Sequence, residues 1–67
     1  MINSDKPRSE YERIINEWIF SERDRAIIRR RLFDAITYEK LAEEFGLSVT
    51  QIKRIIYKTE AVIIRHI

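Results

Sequence analysis

One glycine, Gly46, and one proline, Pro7, are all the backbone punctuation in this chain of 67 residues. That scarcity constrains the fold more than any other feature. Hairpins draw on Gly, Asn and Asp for the positive-φ positions of their turns, and such residues are scarce here. Long segments must run without tight turns, which points to helices. The chain is also apolar enough to build a core, with 45% hydrophobic residues, a globular rather than a disordered composition. A chain this short buries only about 60% of the surface it exposes when unfolded, so one domain with a thin stability margin is expected.

Start signals and periodicity divide the chain into four helices. Residues 1–8 are polar and end in Pro7-Arg8, which predicts a flexible N-terminal arm. Ser9-Glu10-Tyr11-Glu12 has capping-box spacing. Tyr11, Ile14, Ile15, Trp18 and Ile19 then recur at helical intervals, predicting an amphipathic helix with Tyr11 and Trp18 in the core. Ser21-Glu22-Arg23-Asp24 is a second start, with acids where the helix dipole favours them. The helix behind it places Ile28, Leu32, Ala35 and Ile36 on one face, flanked by Ala26 and Phe33, with a break near Ile36 and Thr37 as the next cap. A short third helix, Tyr38 to Phe45, stops at Gly46, where the backbone turns left-handed. Ser48-Val49-Thr50-Gln51 repeats the capping pattern as Ser-x-x-Gln. The last helix runs from Val49 towards Arg65, with Val49, Ile52, Ile55, Ile56, Val62 and Ile63 on its apolar side. The predicted fold is all-α: a four-helix single domain over residues 9–67 whose last two helices form a helix-turn-helix.

Residues 38–57 read YEKLAEEFGLSVTQIKRIIY, the helix-turn-helix layout. The small Ala42 lets the second helix cross closely, and Gly46 permits the tight turn. Leu41, Phe45, Leu47, Ile52 and Ile55 fill the wedge between the helices. At about 100° per residue, Thr50, Arg54, Tyr57, Lys58, Ala61 and Arg65 fall in one arc opposite the apolar stripe, with Lys53 and Gln51 at its edges. The arc contains no acid. Charge is segregated in the same sense, because residues 48–67 carry four basic side chains against Glu60 alone. A basic helix face of this kind is expected to contact double-stranded DNA, since Arg and Gln read base edges and a Thr methyl packs on thymine.

Other classes are disfavoured. There is no cysteine and one histidine, His66, so neither a disulfide framework nor a zinc site is expected, and no cofactor is implied. Apolar runs are too short to span a membrane. The first residues do not follow the order of a secretory signal, so a cytoplasmic location is expected. Glu43 and Glu44 are adjacent on a short helix and His66 has no nucleophile near it in sequence, so an enzyme is not expected. The Arg29-Arg30-Arg31 run reads as surface ion pairing, with Arg30 or Arg31 partnering Asp34. Val62, Ile63, Ile64 and Ile67 are candidates for self-association or for docking on the first helix.

Ser21 to Ile28, Thr37-Tyr38-Glu39-Lys40-Leu41-Ala42, Gly46-Leu47-Ser48 and Gln51-Ile52-Lys53-Arg54 together resemble region 4 of bacterial RNA polymerase sigma factors. The resemblance covers roughly residues 11–67. It implies that the last helix enters the major groove of the promoter's −35 element and that the preceding helices contact the β flap of RNA polymerase. On that reading Thr50, Gln51, Lys53, Arg54 and Lys58 face DNA, and Thr37 and Lys40 lie near phosphates. The residues themselves add Ser48 as the cap of the reading helix and Lys53, Tyr57 and Arg65 as the set expected to hold the DNA backbone. The run Ile52-Lys53-Arg54-Ile55 lacks the acid that many relatives carry there, and no counterpart of the promoter-melting region is present. The competing expectation is a protein-interaction module that binds RNA polymerase core or another partner through the first two helices, with little DNA contact.

Overall fold

The computed structural model describes residues 6–67. It contains α1 (Arg8–Trp18), α2 (Glu22–Asp34), α3 (Tyr38–Phe45) and α4 (Val49–His66), and no strand among the described residues. Most of the expected N-terminal arm, residues 1–5, lies outside the described residues.

Three of the four helix starts follow the expected chemistry. The Ser21 hydroxyl accepts from Asp24 N–H at 3.2 Å and the Thr37 hydroxyl from Lys40 N–H at 3.2 Å. At Ser48 both halves of a capping box form, at 3.1 Å and 2.9 Å. The first start differs. α1 begins at Arg8 behind Pro7, whose φ of −67° suits a helix entry, and no side-chain cap is made. Ser9 is already inside the helix, so the capping box expected over Ser9–Glu12 does not form. Glu10 turns instead to Arg13 at 2.6 Å, and that hydrogen bond holds its carboxyl below the ordinary value.

α2 ends earlier than periodicity alone predicts. Ala35 adopts the left-handed region at φ 53°, so Ala35 and Ile36 do not continue the helical face. The Arg31 guanidinium donates to Ile36 O at 2.9 Å and lies 4.4 Å over the Tyr38 ring, which ties the linker down beyond the helix end. Ile27 and Ile28 are the wholly buried hydrophobics of α2, and Leu32 and Phe33, with Ile36 of the linker, pack against the core.

The core is a seam of branched aliphatics. Ile14, Ile15, Ile27, Ile28, Leu41, Ile52, Ile56 and Ile63 are wholly buried, and α4 packs against each of the other three helices. Trp18 is a correction to the expected core. It closes α1, is 43% exposed, and stacks on His66 with centroids 3.9 Å apart. Ile19, extended after the helix end, takes the buried place instead. Arg25 reaches back from α2 to donate to Ile19 O and to Asn16 O, the latter at 2.9 Å, and so satisfies carbonyls at the end of α1.

Two of the three arginines in the run are ion-paired, and Arg31 is held by Ile36 O and the Tyr38 ring instead. Arg29 meets Glu12 of α1 at 2.7 Å, and Arg30 joins Asp34 at 2.9 Å and Glu44 of α3 at 2.7 Å. The Arg30 hydrogen bond keeps the Glu44 carboxyl below its ordinary value, and the same bonds raise Arg30. The expected cluster for contact between copies is also corrected, because Ile63 is wholly buried and Val62 packs against the core of its own chain. Ile64 and Ile67 alone of the four stay exposed. Among the described residues no helix is long and apolar enough to cross a membrane.

Candidate nucleic-acid interface

Two local features set the angle at which α4 is presented. Gly46 closes α3 at φ 66° and ψ 35°, and Leu47 N–H donates to Ala42 O at 2.9 Å. The chain therefore leaves α3 through a left-handed turn and enters α4 two residues later at the Ser48 cap. Leu41 and Ala42 of α3 and Ile52 and Ile55 of α4 are buried, and Phe45, Leu47 and Val49 pack around them. That wedge turns one side of α4 inward and its opposite side outward.

The outward side carries the expected residues. Thr50, Gln51, Lys53, Arg54, Tyr57, Lys58, Ala61 and Arg65 are all exposed. Thr37 and Lys40 are exposed at the start of α3. Among the described residues, Arg54 and Arg65 have no carboxylate within ion-pair distance. Lys53 Nζ hangs 5.9 Å from the Tyr38 ring centroid, which ties it to the start of α3. Lys58 Nζ lies 3.7 Å from Asp24 Oδ2.

Gln51 has a divided role. Its Oε1 accepts from Ser48 N–H at 2.9 Å, which leaves the Nε2 donors for a base edge or a phosphate. A two-bond adenine contact needs both the oxygen and the nitrogen of the amide. Gln51 in this geometry is first a cap and second a donor.

The structure adds Arg23 of α2 to the neighbourhood of α4. Arg23 lines a cavity of about 150 Å³ together with Leu47, Gln51, Arg54 and Ile55. Its Nε donates to Asp24 Oδ1 at 3.2 Å. Two guanidinium-bearing residues from different helices thus border one cleft beside the start of α4. Helical periodicity could not reveal this, because the juxtaposition depends on how α2 crosses α4.

A short helix, a left-handed glycine turn and a second helix with a cationic, acid-free outer arc define a helix-turn-helix domain. The family model of sigma-70, region 4 matches residues 20–59, from the residue before Ser21 through α2, α3 and more than half of α4. The chain belongs to the sigma-70 region 4 family, whose members are helix-turn-helix DNA-binding domains of transcription rather than enzymes. α1 and the end of α4 lie outside the matched stretch. No curated protein and no solved structure matched the chain.

Proposed function

We propose that this domain binds duplex DNA through the outer face of α4 laid in the major groove, in the manner of a promoter-reading (−35) domain. The observation that carries the reading is the acid-free arc of α4, turned outward by the Gly46 turn and the aliphatic wedge. Thr50 and Arg54 contact base edges. Gln51 donates through its amide nitrogen. Lys53, Tyr57, Lys58 and Arg65 hold phosphates along the groove, with Thr37 and Lys40 on the flanking strand at the start of α3. Arg23 adds a contact from α2 because it shares the cleft with Gln51 and Arg54.

A single module of this kind buries about 600–1,000 Å² of protein surface, so its affinity alone is weak. If about four phosphates are neutralised, the log–log salt slope is near −3.6, from about −0.9 per contact. An NMR titration with duplex DNA tests the reading: amides of residues 50–58 should shift, and the affinity should fall steeply with salt. A salt-independent response, or shifts confined to α1, would refute it.

A second surface favours contact with RNA polymerase. Phe20, 79% exposed in the α1–α2 linker, and Trp18 flank a cavity of about 150 Å³ that Val62 also lines. The arginines of α2 do not supply a free basic patch for this purpose, since Arg29 and Arg30 are ion-paired. On this reading polymerase docks at the aromatics while α4 engages DNA. Addition of a β-flap fragment should then shift Trp18 and Phe20 without moving Arg54.

A further inference from the structure

Asp24 is a buried carboxylate with no assigned part in DNA reading. Its side chain is 5% exposed. Taking a carboxylate out of water is costly unless cations and hydrogen bonds compensate it. Helix capping does not account for its direction. The reciprocal bond of a capping box forms between Ser48 and Gln51, whereas at Ser21 only the forward bond to Asp24 N–H forms. The carboxylate points to two cations instead: Arg23 Nε at 3.2 Å on Oδ1 and Lys58 Nζ at 3.7 Å on Oδ2. Both cations border the proposed DNA face. The Lys58 contact is long and its side chain is 72% exposed, so the ammonium stays open to solvent while sharing its charge with the buried anion.

We propose that Asp24 is an internal counter-anion of the reading helix, which partly neutralises Lys58 and sets DNA affinity below what the cations of α4 would otherwise give. The inference rests on the reading of α4 as the DNA-contacting helix. A cation that already has an anionic partner displaces fewer counterions when it meets a phosphate, so it contributes less to affinity and to salt dependence. The fixed negative charge also acts on any phosphate within about a Debye length, roughly 10 Å at 0.1 M salt. Phosphate contacts carry no sequence information and base contacts do. Damping the former while leaving Thr50 and Arg54 untouched raises the ratio of specific to non-specific binding.

The experiment is fluorescence anisotropy with a labelled mixed-sequence duplex over a potassium chloride series, on the full chain and its Asp24→Asn, Lys58→Gln and combined variants. Asp24→Asn should bind about three- to fivefold tighter at low salt, the scale of one partly exposed ion pair. Its salt slope should steepen by a fraction of the roughly 0.9 that one whole phosphate contact contributes. Measured against Lys58→Gln, the combined variant should show a smaller gain, what remains being the part that Asp24 withholds from Arg23 and from nearby phosphates. Lys58→Gln alone should cost much less affinity than Arg54→Ala. Folded Asp24→Asn protein that binds no tighter than wild type overturns the proposal. Should Asp24→Asn fail to fold by circular dichroism, the comparison of Lys58→Gln with Arg54→Ala decides, and equal losses overturn it. Wild-type protein that binds no duplex at all overturns the reading of α4, and this inference with it.

Discussion

Gly46 offers an unusually clean separation of backbone strain from packing. A Cβ built on it meets nothing within 4 Å, so an alanine there costs no collision. What remains is its conformation, φ 66° and ψ 35°. The left-handed region costs an L-residue about 1–2 kcal/mol, while losing glycine's freedom in the unfolded chain returns about 0.4–1 kcal/mol. Gly46→Ala should therefore destabilise the domain by about 1 kcal/mol. Ala35 is the mirror case, a residue with a Cβ held at φ 53° and ψ 38°. Ala35→Gly should stabilise by a similar amount, because the same two contributions change sign. Domains of this size shift by about 4–8 °C in Tm per kcal/mol, so the two variants should melt on opposite sides of wild type by several degrees. The total stability is on the order of 3–10 kcal/mol for 67 residues, which makes either change easy to read by far-ultraviolet circular dichroism. The double variant should return close to the wild-type Tm, and Gly46→Val should fall below Gly46→Ala because a β-branched residue tolerates positive φ less well. Gly46→Ala melting together with wild type, or Ala35→Gly melting below it, would refute the reasoning.

Further expectations follow from the same geometry. Arg54→Ala should cost about 1–3 kcal/mol of DNA binding in anisotropy titrations and relax the preference between duplexes that differ at the base it reads, with an unchanged melt; a lowered melt would mean that Arg54 supports the fold. Ile56→Ala removes a wholly buried side chain at the seam and should cost about 2–5 kcal/mol in urea denaturation; a loss well under 1 kcal/mol would mean that the seam is not close-packed. The Arg30–Glu44 pair ties α2 to α3 and depresses the Glu44 carboxyl. Its stabilisation is present above the ordinary carboxylate value and is lost as pH falls through the lowered folded value. The Tm difference between wild type and Glu44→Gln should therefore be present at neutral pH and vanish in acid, and a difference independent of pH would rule the pair out as its source.

Local chemistry was legible in the sequence wherever cause and effect lie within one helical turn. Ser21, Thr37 and Ser48 cap the helices they precede, and Gly46 closes α3, because a cap and the N–H it satisfies are three residues apart. The misreadings have equally definite causes. Ser9 has capping spacing, but Pro7 starts the helix earlier. Trp18 has core periodicity, but it is the last residue of α1, and the extended Ile19 is better placed to enter the core. Ala35 has helical spacing, but a left-handed residue there ends α2 without help from Gly or Pro. Arg23 beside Arg54, and Asp24 beneath Lys58, depend on the crossing of two helices distant in sequence, which periodicity does not encode.

α4 is both the keystone of the core and the proposed reading surface, and that double duty orders its residues. Ile52, Ile56 and Ile63 are wholly buried and answer to stability alone. Thr50, Arg54 and Arg65 are exposed and make no side-chain hydrogen bond or ion pair among the described residues, so they answer to binding alone. Three other residues of the outer side answer to both. Gln51 closes the cap, Lys53 reaches Tyr38 and Lys58 reaches Asp24. A new DNA preference is therefore easiest to acquire at Thr50 and Arg54, where no internal partner must be replaced. At these three positions the same exchange also disturbs a cap, a ring contact or a buried anion. The outer side is open to change where a residue has no internal partner and restrained where it has one, a consequence of making one helix both pack the core and face the DNA.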